Sequence, residues 1–312
     1  MKILISRTDR LGDLVLALPV AQVLKEKQPD WKIYFYVRMY QAPLLLHHTD
    51  VDGSLIYKPE SSIKEMVNLL KSHEFDIVLD LFPRFRPALI FALARIPRRI
   101  GTLYRWFSIF YTDKVKIHRK PSIRHEAEYN LMLLEPLKIK AKLMRPKLYL
   151  TQDEEVWGQR TLADLSRPVV ALHPSSRSSA PNWSYNKYIT LAKLLTAKGM
   201  GVVLIGNQES SPPLGNNILD MRGKTTLRQL MAILKNASVL ISNSTGPMHI
   251  ACALDTPTVS LFYPEGVAGP TRWGPLHPRS IVLTSKPGDR NLETIGIDAV
   301  IEAVEKILES PG

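Results

Sequence analysis

Ser242-Asn-Ser-Thr-Gly-Pro-Met-His-Ile-Ala-Cys252 is the stretch whose reading decides the fold of this chain. The run Ala237-Ser-Val-Leu-Ile-Ser242 before it is strand-like, and the residues after it carry an apolar helical pattern. A strand, a polar turn and a helix start therefore follow one another directly. Ser244 or Thr245 can cap the helix, and Pro247 suits its first turn because the missing N–H would be unpaired there anyway. Gly246 removes a side chain where a ligand would approach. A helix N-terminus with free N–H groups and hydroxyls attracts anions, so the stretch reads either as a plain cap or as a phosphate or diphosphate site.

Working outward, the same alternation recurs on both sides. Before it come strands at 169–172, 201–205 and 217–220 and helices at 185–198 and 227–235. After it come strands at 258–262 and 281–283 and a closing amphipathic helix at 297–308. The first half shows strands at 2–6, 31–37, 54–57, 75–81 and 100–102, with helices at 14–25, 63–72, 87–94 and 125–134. Residues 146–150 form an extended exit, and a charged helix at 153–164 is the linker zone. Alternating strands and helices at this spacing imply a parallel sheet covered on both faces. Two successive units of this kind predict an α/β protein of two Rossmann-like domains, 1–165 and 166–312, facing each other across a cleft. The closing helix is free to pack back on the first domain.

Composition narrows the class. The 312 residues are 45% hydrophobic and 22% charged, as in an ordinary globular protein. There is no long uncharged apolar run, so no transmembrane helix is expected. The N-terminus is charged too early for a secretory signal, and the single cysteine, Cys252, excludes an intramolecular disulfide. A cytoplasmic location is expected. The net charge of +12 is uneven. Between Arg84 and Arg124 eleven Lys or Arg stand against one acid, Asp113, with Phe85, Phe91, Tyr104, Trp106, Phe107, Phe110 and Tyr111 interleaved. That segment reads either as a solvated basic face or as a surface for nucleic acid, anionic lipid or a phosphorylated glycan.

In open parallel sheets ligands gather at the carboxyl ends of strands. The loops there in the second domain are His173-Pro-Ser-Ser-Arg177, Gly206-Asn-Gln-Glu209, Gly223-Lys-Thr-Thr226 and Asn243-Ser-Thr-Gly-Pro-Met-His249. They offer hydroxyls and N–H groups for phosphate oxygens, Arg177 for charge, and Glu209 to accept both hydroxyls of a ribose. This suits a nucleoside diphosphate better than a dinucleotide, since neither domain opens with Gly-x-Gly-x-x-Gly and there is no Gly-x-x-x-x-Gly-Lys-Ser/Thr. In the first domain, Asp13 follows Gly12 at a helix start. It reads either as an N-cap or as a carboxylate able to take a proton from an attacking hydroxyl. Asp9 is the competing carboxylate and pairs with Arg7 or Arg10. His249 either bonds a phosphate or is a satisfied core histidine. Without Cys pairs or His-Glu-x-x-His a zinc site is not expected, and without Gly-x-Ser-x-Gly neither is the usual nucleophile elbow.

Four stretches together carry a resemblance. Arg7-Thr-Asp-Arg-Leu-Gly-Asp-Leu-Val-Leu-Ala-Leu-Pro19, His173-Pro-Ser-Ser-Arg177 followed by Trp183, Gly206-Asn-x-x-Glu209, and Ser242-Asn-Ser-Thr-Gly-Pro-Met-His249 closely resemble glycosyltransferase family 9. These are the ADP-heptose:lipopolysaccharide heptosyltransferases of Gram-negative bacteria. The motifs span residues 1 to about 263 in the family's order. The resemblance implies a GT-B architecture and inverting transfer of a heptose from ADP-heptose to a lipid A-linked inner-core acceptor. The family's catalytic aspartate falls on Asp13, as base. Its diphosphate turn falls on Ser244, Thr245, Gly246, Pro247, Met248 and His249, its paired hydroxyls on Ser175 and Ser176 beside Arg177, and its ribose acid on Glu209 after Gly206. Thr225 falls near the adenine.

On the acceptor side the expected contacts are Arg7, Arg10, Gly12, Arg98 and Arg99. The implied enzyme has no cofactor beyond Mg2+ as an activator and works at the inner-membrane surface on an anionic glycolipid, with no nucleic acid. Two departures stand out. Several members have Asp where this chain has Ser244, and many have Lys or Arg near the Trp, where this chain reads Ala180-Pro181-Asn182-Trp183. Either is compatible with a different donor sugar. The alternatives are a transferase using another nucleotide sugar, a nucleotide-sugar epimerase or hydrolase, and a basic nucleic-acid-binding protein lacking any recognisable module.

Overall fold

The structure is a computed structural model and describes residues 1–174, 181–207 and 215–309. Its first unit is built from strands β1 (Lys2–Ser6), β2 (Lys32–Val37), β3 (Gly53–Ile56), β4 (Ile77–Asp80), β5 (Arg98–Thr102) and β6 (Asp113–Val115). Helices α1 (Leu11–Val15), α2 (Leu18–Lys27), α3 (Ile63–Lys71), α4 (Phe85–Leu93) and α5 (Glu126–Leu131) connect or follow them. All five strand pairings are parallel, in the order β3-β2-β1-β4-β5-β6. The inner strands are buried on both faces, which is why Ile3, Leu4, Ile5, Val78 and Leu79 run as an unbroken apolar series rather than alternating.

The second unit opens with α6 (Gln152–Thr161) and repeats the arrangement. It has strands β7 (Val169–His173), β8 (Gly201–Leu204), β9 (Ile218–Asp220), β10 (Val239–Asn243), β11 (Thr258–Phe262) and β12 (Ile281–Thr284). The helices α7 (Tyr185–Ala197), α8 (Leu227–Asn236), α9 (Gly246–Ala253), α10 (Pro270–Trp273) and α11 (Ile297–Glu309) complete it. The order β9-β8-β7-β10-β11-β12 is again wholly parallel and has the same topology as the first sheet. Both units are thus Rossmann-like, and in each the strand order reverses beside the first strand, between β1 and β4 and between β7 and β10. That switch point opens a crevice at the carboxyl ends of the strands.

Two boundaries differ from the sequence expectation. The chain divides at Met1–Pro146 and Lys147–Gly312 rather than after 165, so α6 is no linker. It packs on α8 so closely that a Cβ on Gly158 would lie 2.5 Å from the Ala232 carbonyl oxygen, and Arg228 of α8 clamps Glu154. The closing helix α11 packs on α7 and across β10, β11 and β12, within its own unit. The helix expected over 14–25 begins earlier and is broken into α1 and α2. Pro19 enters α2 at its first turn, where its missing N–H and its ring end the preceding helix at Val15. Edge strand β6 was not legible in the sequence, since three residues carry no period.

Candidate functional site

In the second unit the crevice is built by the ends of β7 and β10. Strand β10 delivers Asn243, fully buried, whose Oδ1 accepts from the Trp183 backbone N–H at 3.1 Å and the Tyr188 hydroxyl at 3.3 Å. Its Nδ2 donates to Asn182 Oδ1 at 3.1 Å. Trp183, itself buried, donates its indole N–H to the Ile295 carbonyl at 3.0 Å. Strand end and loop exit are therefore locked together. Thr245 stands at the N-cap of α9 in extended conformation but makes no capping bond; its hydroxyl instead pairs with His173 Nδ1 at the end of β7, 3.2 Å away. The α9 N-terminus keeps a peptide N–H at Gly246 and the half-exposed Ser244 and Pro247 at the edge of the crevice.

Not every residue assigned to the donor belongs there. Met248 is fully buried, and its N–H is bonded to the Thr245 carbonyl at 3.1 Å, so it packs the helix into the core rather than touching a ligand. His249 is buried on the same turn. Gly206, two residues beyond β8, has φ +115°, a conformation that favours glycine, and its carbonyl accepts from the Gly223 N–H at 2.8 Å. Thr225 lies half-buried just before the α8 N-cap Thr226. Ser175, Ser176, Arg177 and Glu209 lie outside the described residues. Sequence reasoning missed Arg222, buried at the end of β9, whose guanidinium grips Asp220 through both oxygens at 2.8 and 2.9 Å and donates to the Tyr185 hydroxyl at 2.7 Å.

The first unit's crevice is organised by Arg7, which follows β1 and is 2% exposed. Its Nε donates to Asp9 at 2.9 Å, its Nη2 to Asp13 at 2.6 Å, and its Nη1 to Glu126 at 3.0 Å, Asn130 at 2.9 Å and the Leu81 carbonyl at 3.4 Å. Arg119 reaches the same Glu126 and Asn130 at 3.2 and 3.3 Å. Asn130 also donates to the Leu16 carbonyl at 2.9 Å, tying α5 to the end of α1. Arg7 is thus a positioning residue, not an acceptor contact.

Asp13 is the third residue of α1, not its N-cap, which is Arg10. The Arg7 guanidinium and the first turn of the helix fix its orientation. Gly12, beside it, is buried. Asp9 pairs with Arg7, as one of its two expected partners. Burial pushes the Asp9 carboxyl up to about 7, with Arg7 opposing and a hydrogen bond to Asp13 adding to the rise. At the end of β4, burial likewise lifts Asp80 to about 6, while the Tyr111 hydroxyl donates to it at 2.6 Å.

Beside this network is a cavity of 560 Å³ lined by Thr8, Asp9, Arg10, Arg38, Tyr40 and Arg84 among others. Residues after β2 hold its floor. Arg38 Nε donates to the Thr8 carbonyl at 2.7 Å, the Tyr40 hydroxyl to the Asp9 carbonyl, and Gln41 to the Arg10 carbonyl at 3.0 Å. Arg10, Arg38 and Arg84 form no ion pair among the described residues. Arg98 and Arg99 are elsewhere. They start β5 at the amino end of the sheet, where Arg98 grips Asp113 at 2.9 and 3.1 Å and Arg99 donates to the Phe110 and Ile96 carbonyls. Their assignment to an acceptor is corrected by the direction of the strand.

Comparison with known proteins agrees with this geometry. Lipopolysaccharide heptosyltransferase 3 of Escherichia coli K12 is 25% identical, over 95% of this chain and 95% of its own. Lipopolysaccharide heptosyltransferase 2 of Salmonella typhimurium is 26% identical over 85% and 83%. Among solved structures, E. coli ADP-heptose lps heptosyltransferase II superposes with a TM-score of 0.86 at 21% identity, covering 99% of this chain and 98% of that one. The glycosyl transferase family 9 protein of Veillonella parvula gives 0.85 at 21%, with the same coverage. The shared fold is the GT-B arrangement of two Rossmann-like domains. Residues 63–293 match glycosyltransferase family 9 (heptosyltransferase), and with both crevices in place the chain belongs to that family of enzymes.

Proposed function

We propose that the chain transfers a heptose from ADP-heptose to an anionic inner-core acceptor of lipopolysaccharide, with inversion at the anomeric carbon. The observation that carries this reading is Asp13, an aspartate on a buried arginine at the carboxyl end of β1, beside a cavity lined by three arginines that form no ion pair among the described residues. A displacement needs the acceptor hydroxyl deprotonated as the C–O bond forms and the diphosphate stabilised as it leaves. Asp13 takes that proton. Arg10, Arg38 and Arg84 hold the anionic groups of the acceptor.

The α9 N-terminus, with Ser244, Thr245 and Gly246, receives the departing diphosphate. Ser175, Ser176, Arg177 and Glu209 complete the donor contacts in this reading on the family pattern alone. A single displacement needs one carboxylate base, and Mg2+ enters at most as an activator. The lipid-linked acceptor puts the enzyme at the cytoplasmic face of the inner membrane. Asp13→Ala should retain ADP binding, read as a thermal shift, and lose transfer; turnover at the wild-type rate in that variant refutes the assignment. UDP- and GDP-sugars in the same thermal-shift series should give smaller shifts than ADP-heptose.

A further inference from the structure

The loops that follow β5 and β6 are joined. The Leu103 N–H donates to the Val115 carbonyl at 2.9 Å, Thr102 Oγ1 donates to the Ile117 carbonyl at 3.3 Å, and the Tyr104 and His118 rings lie 5.2 Å apart. On this surface large apolar side chains point to solvent. Trp106 is 77% exposed, Ile109 75% and Ile123 73%, with Tyr104 about half exposed. Trp106 stacks on Phe85 with ring centroids 5.0 Å apart, so the two rings form one ridge. Folding of this unit gives no reason for such exposure, because the core beneath is closed by Phe107 and Tyr111. Contiguous exposed aromatics of this kind mark an interaction surface.

The charge around the ridge identifies the partner. Arg105, Lys116, Lys120 and Arg124 are exposed and form no ion pair among the described residues. The one acid between Arg84 and Arg124, Asp113, is held by Arg98. Amphipathic rings on the same pair of joined loops as these exposed cations fit the headgroup region of an anionic bilayer, where Trp and Tyr settle and each Lys or Arg adds attraction. We infer that the Trp106–Ile109 ridge with its basic rim docks this unit on an anionic lipid surface. The ridge is continuous with the acceptor cavity, since Phe85, under Trp106, follows directly on the cavity residue Arg84. An acceptor anchored in the bilayer is thereby presented at the carboxyl edge that holds Asp13. The inference rests on the lipid-linked acceptor proposed above.

The test uses the full chain and two substrates, a lipid-embedded acceptor in vesicles and the same oligosaccharide after deacylation. The wild type should sediment with vesicles containing phosphatidylglycerol and not with phosphatidylcholine alone. The variant W106S/I109S should lose at least about tenfold in vesicle affinity, and K116E/K120E on the order of twentyfold or more, given the attraction per basic residue. Both should keep wild-type turnover on the deacylated acceptor while losing it on vesicles.

Vesicle binding unchanged in both variants overturns the inference. So does loss of turnover on the soluble acceptor by the folded variants, which would place the ridge in the sugar site. So too does a wild-type dimer that W106S/I109S converts to monomer without change in vesicle binding, which would make the ridge a self-association surface. A wild type inactive on both the lipid-embedded and the deacylated acceptor refutes the proposed function instead, and leaves the vesicle-binding result to decide the docking surface.

Discussion

Arg7→Lys separates the positioning network from the rest of the fold. The guanidinium makes five hydrogen bonds, three of them to the carboxylates of Asp9, Asp13 and Glu126. A lysine ammonium keeps the charge but carries three donors at one point and cannot span partners arranged around a planar fork. At least two charge-assisted bonds are lost, each worth about 1.5–3 kcal/mol, so the unit should lose about 3–6 kcal/mol. That corresponds to a fall in Tm of roughly 10 °C by calorimetry. Below that transition the variant is folded, but Asp13 has lost the 2.6 Å bond from Nη2 that fixes it. A displacement of about 1 Å at a catalytic group costs on the order of 10²-fold, so kcat should drop by that factor. The KM for the donor should be unchanged, because the donor contacts proposed above lie in the other unit. Turnover within about threefold of wild type in folded Arg7→Lys would refute the claim that Arg7 positions the base.

Two further outcomes follow from the buried acids. Asp9 sits near 7 because burial opposes its ionisation, and in its neutral form it shares a hydrogen bond with Asp13. Below about pH 7 that proton occupies the face of Asp13 that would accept from the acceptor hydroxyl; above it Asp9 is ionised and no longer donates there. Transfer should therefore rise with pH through about 7, and Asp9→Asn should remove that limb from the pH–rate profile. An unaltered limb in the variant would show that another group controls it.

Asp80 has a folded value of about 6 against 3.8 for the ordinary group. Its contribution to stability is fully present below 3.8 and is lost as pH rises through 6, a change on the order of 3 kcal/mol. Asp80→Asn keeps an acceptor for the Tyr111 hydroxyl and should abolish that slope, leaving the variant more stable than wild type at pH 7 and not at pH 3.5. Denaturant unfolding at the two pH values measures it, and a variant less stable at pH 7 would contradict the burial argument.

Gly-Asp at 12–13 and the Ser-Asn-Ser-Thr-Gly-Pro-Met-His stretch were visible in the sequence because they are local. Each is a few consecutive residues whose types suit the end of a strand and the start of a helix. The parallel sheets were legible for the same reason, since unbroken runs such as 169–172 and 258–262 state their burial on both faces by composition alone. Short edge strand β6 was not, because pairing with β5 defines it rather than any pattern of its own.

What only the tertiary structure decided is which polar residues face a ligand and which face each other. Arg7, Arg98 and Arg99 look alike in the sequence as cations near a site. Yet strand direction sends Arg98 and Arg99 to the opposite edge of the sheet, and Glu126 and Asn130, more than a hundred residues away in sequence, bury Arg7 beneath Asp13. Met248 likewise reads as part of a binding turn until the helix rotates it into the core. The sequence by itself determined the two α/β units and the turns that carry the chemistry. The positions of the charges depended on burial and strand polarity, because a buried charge must find its partners among whatever the fold brings within about 3 Å.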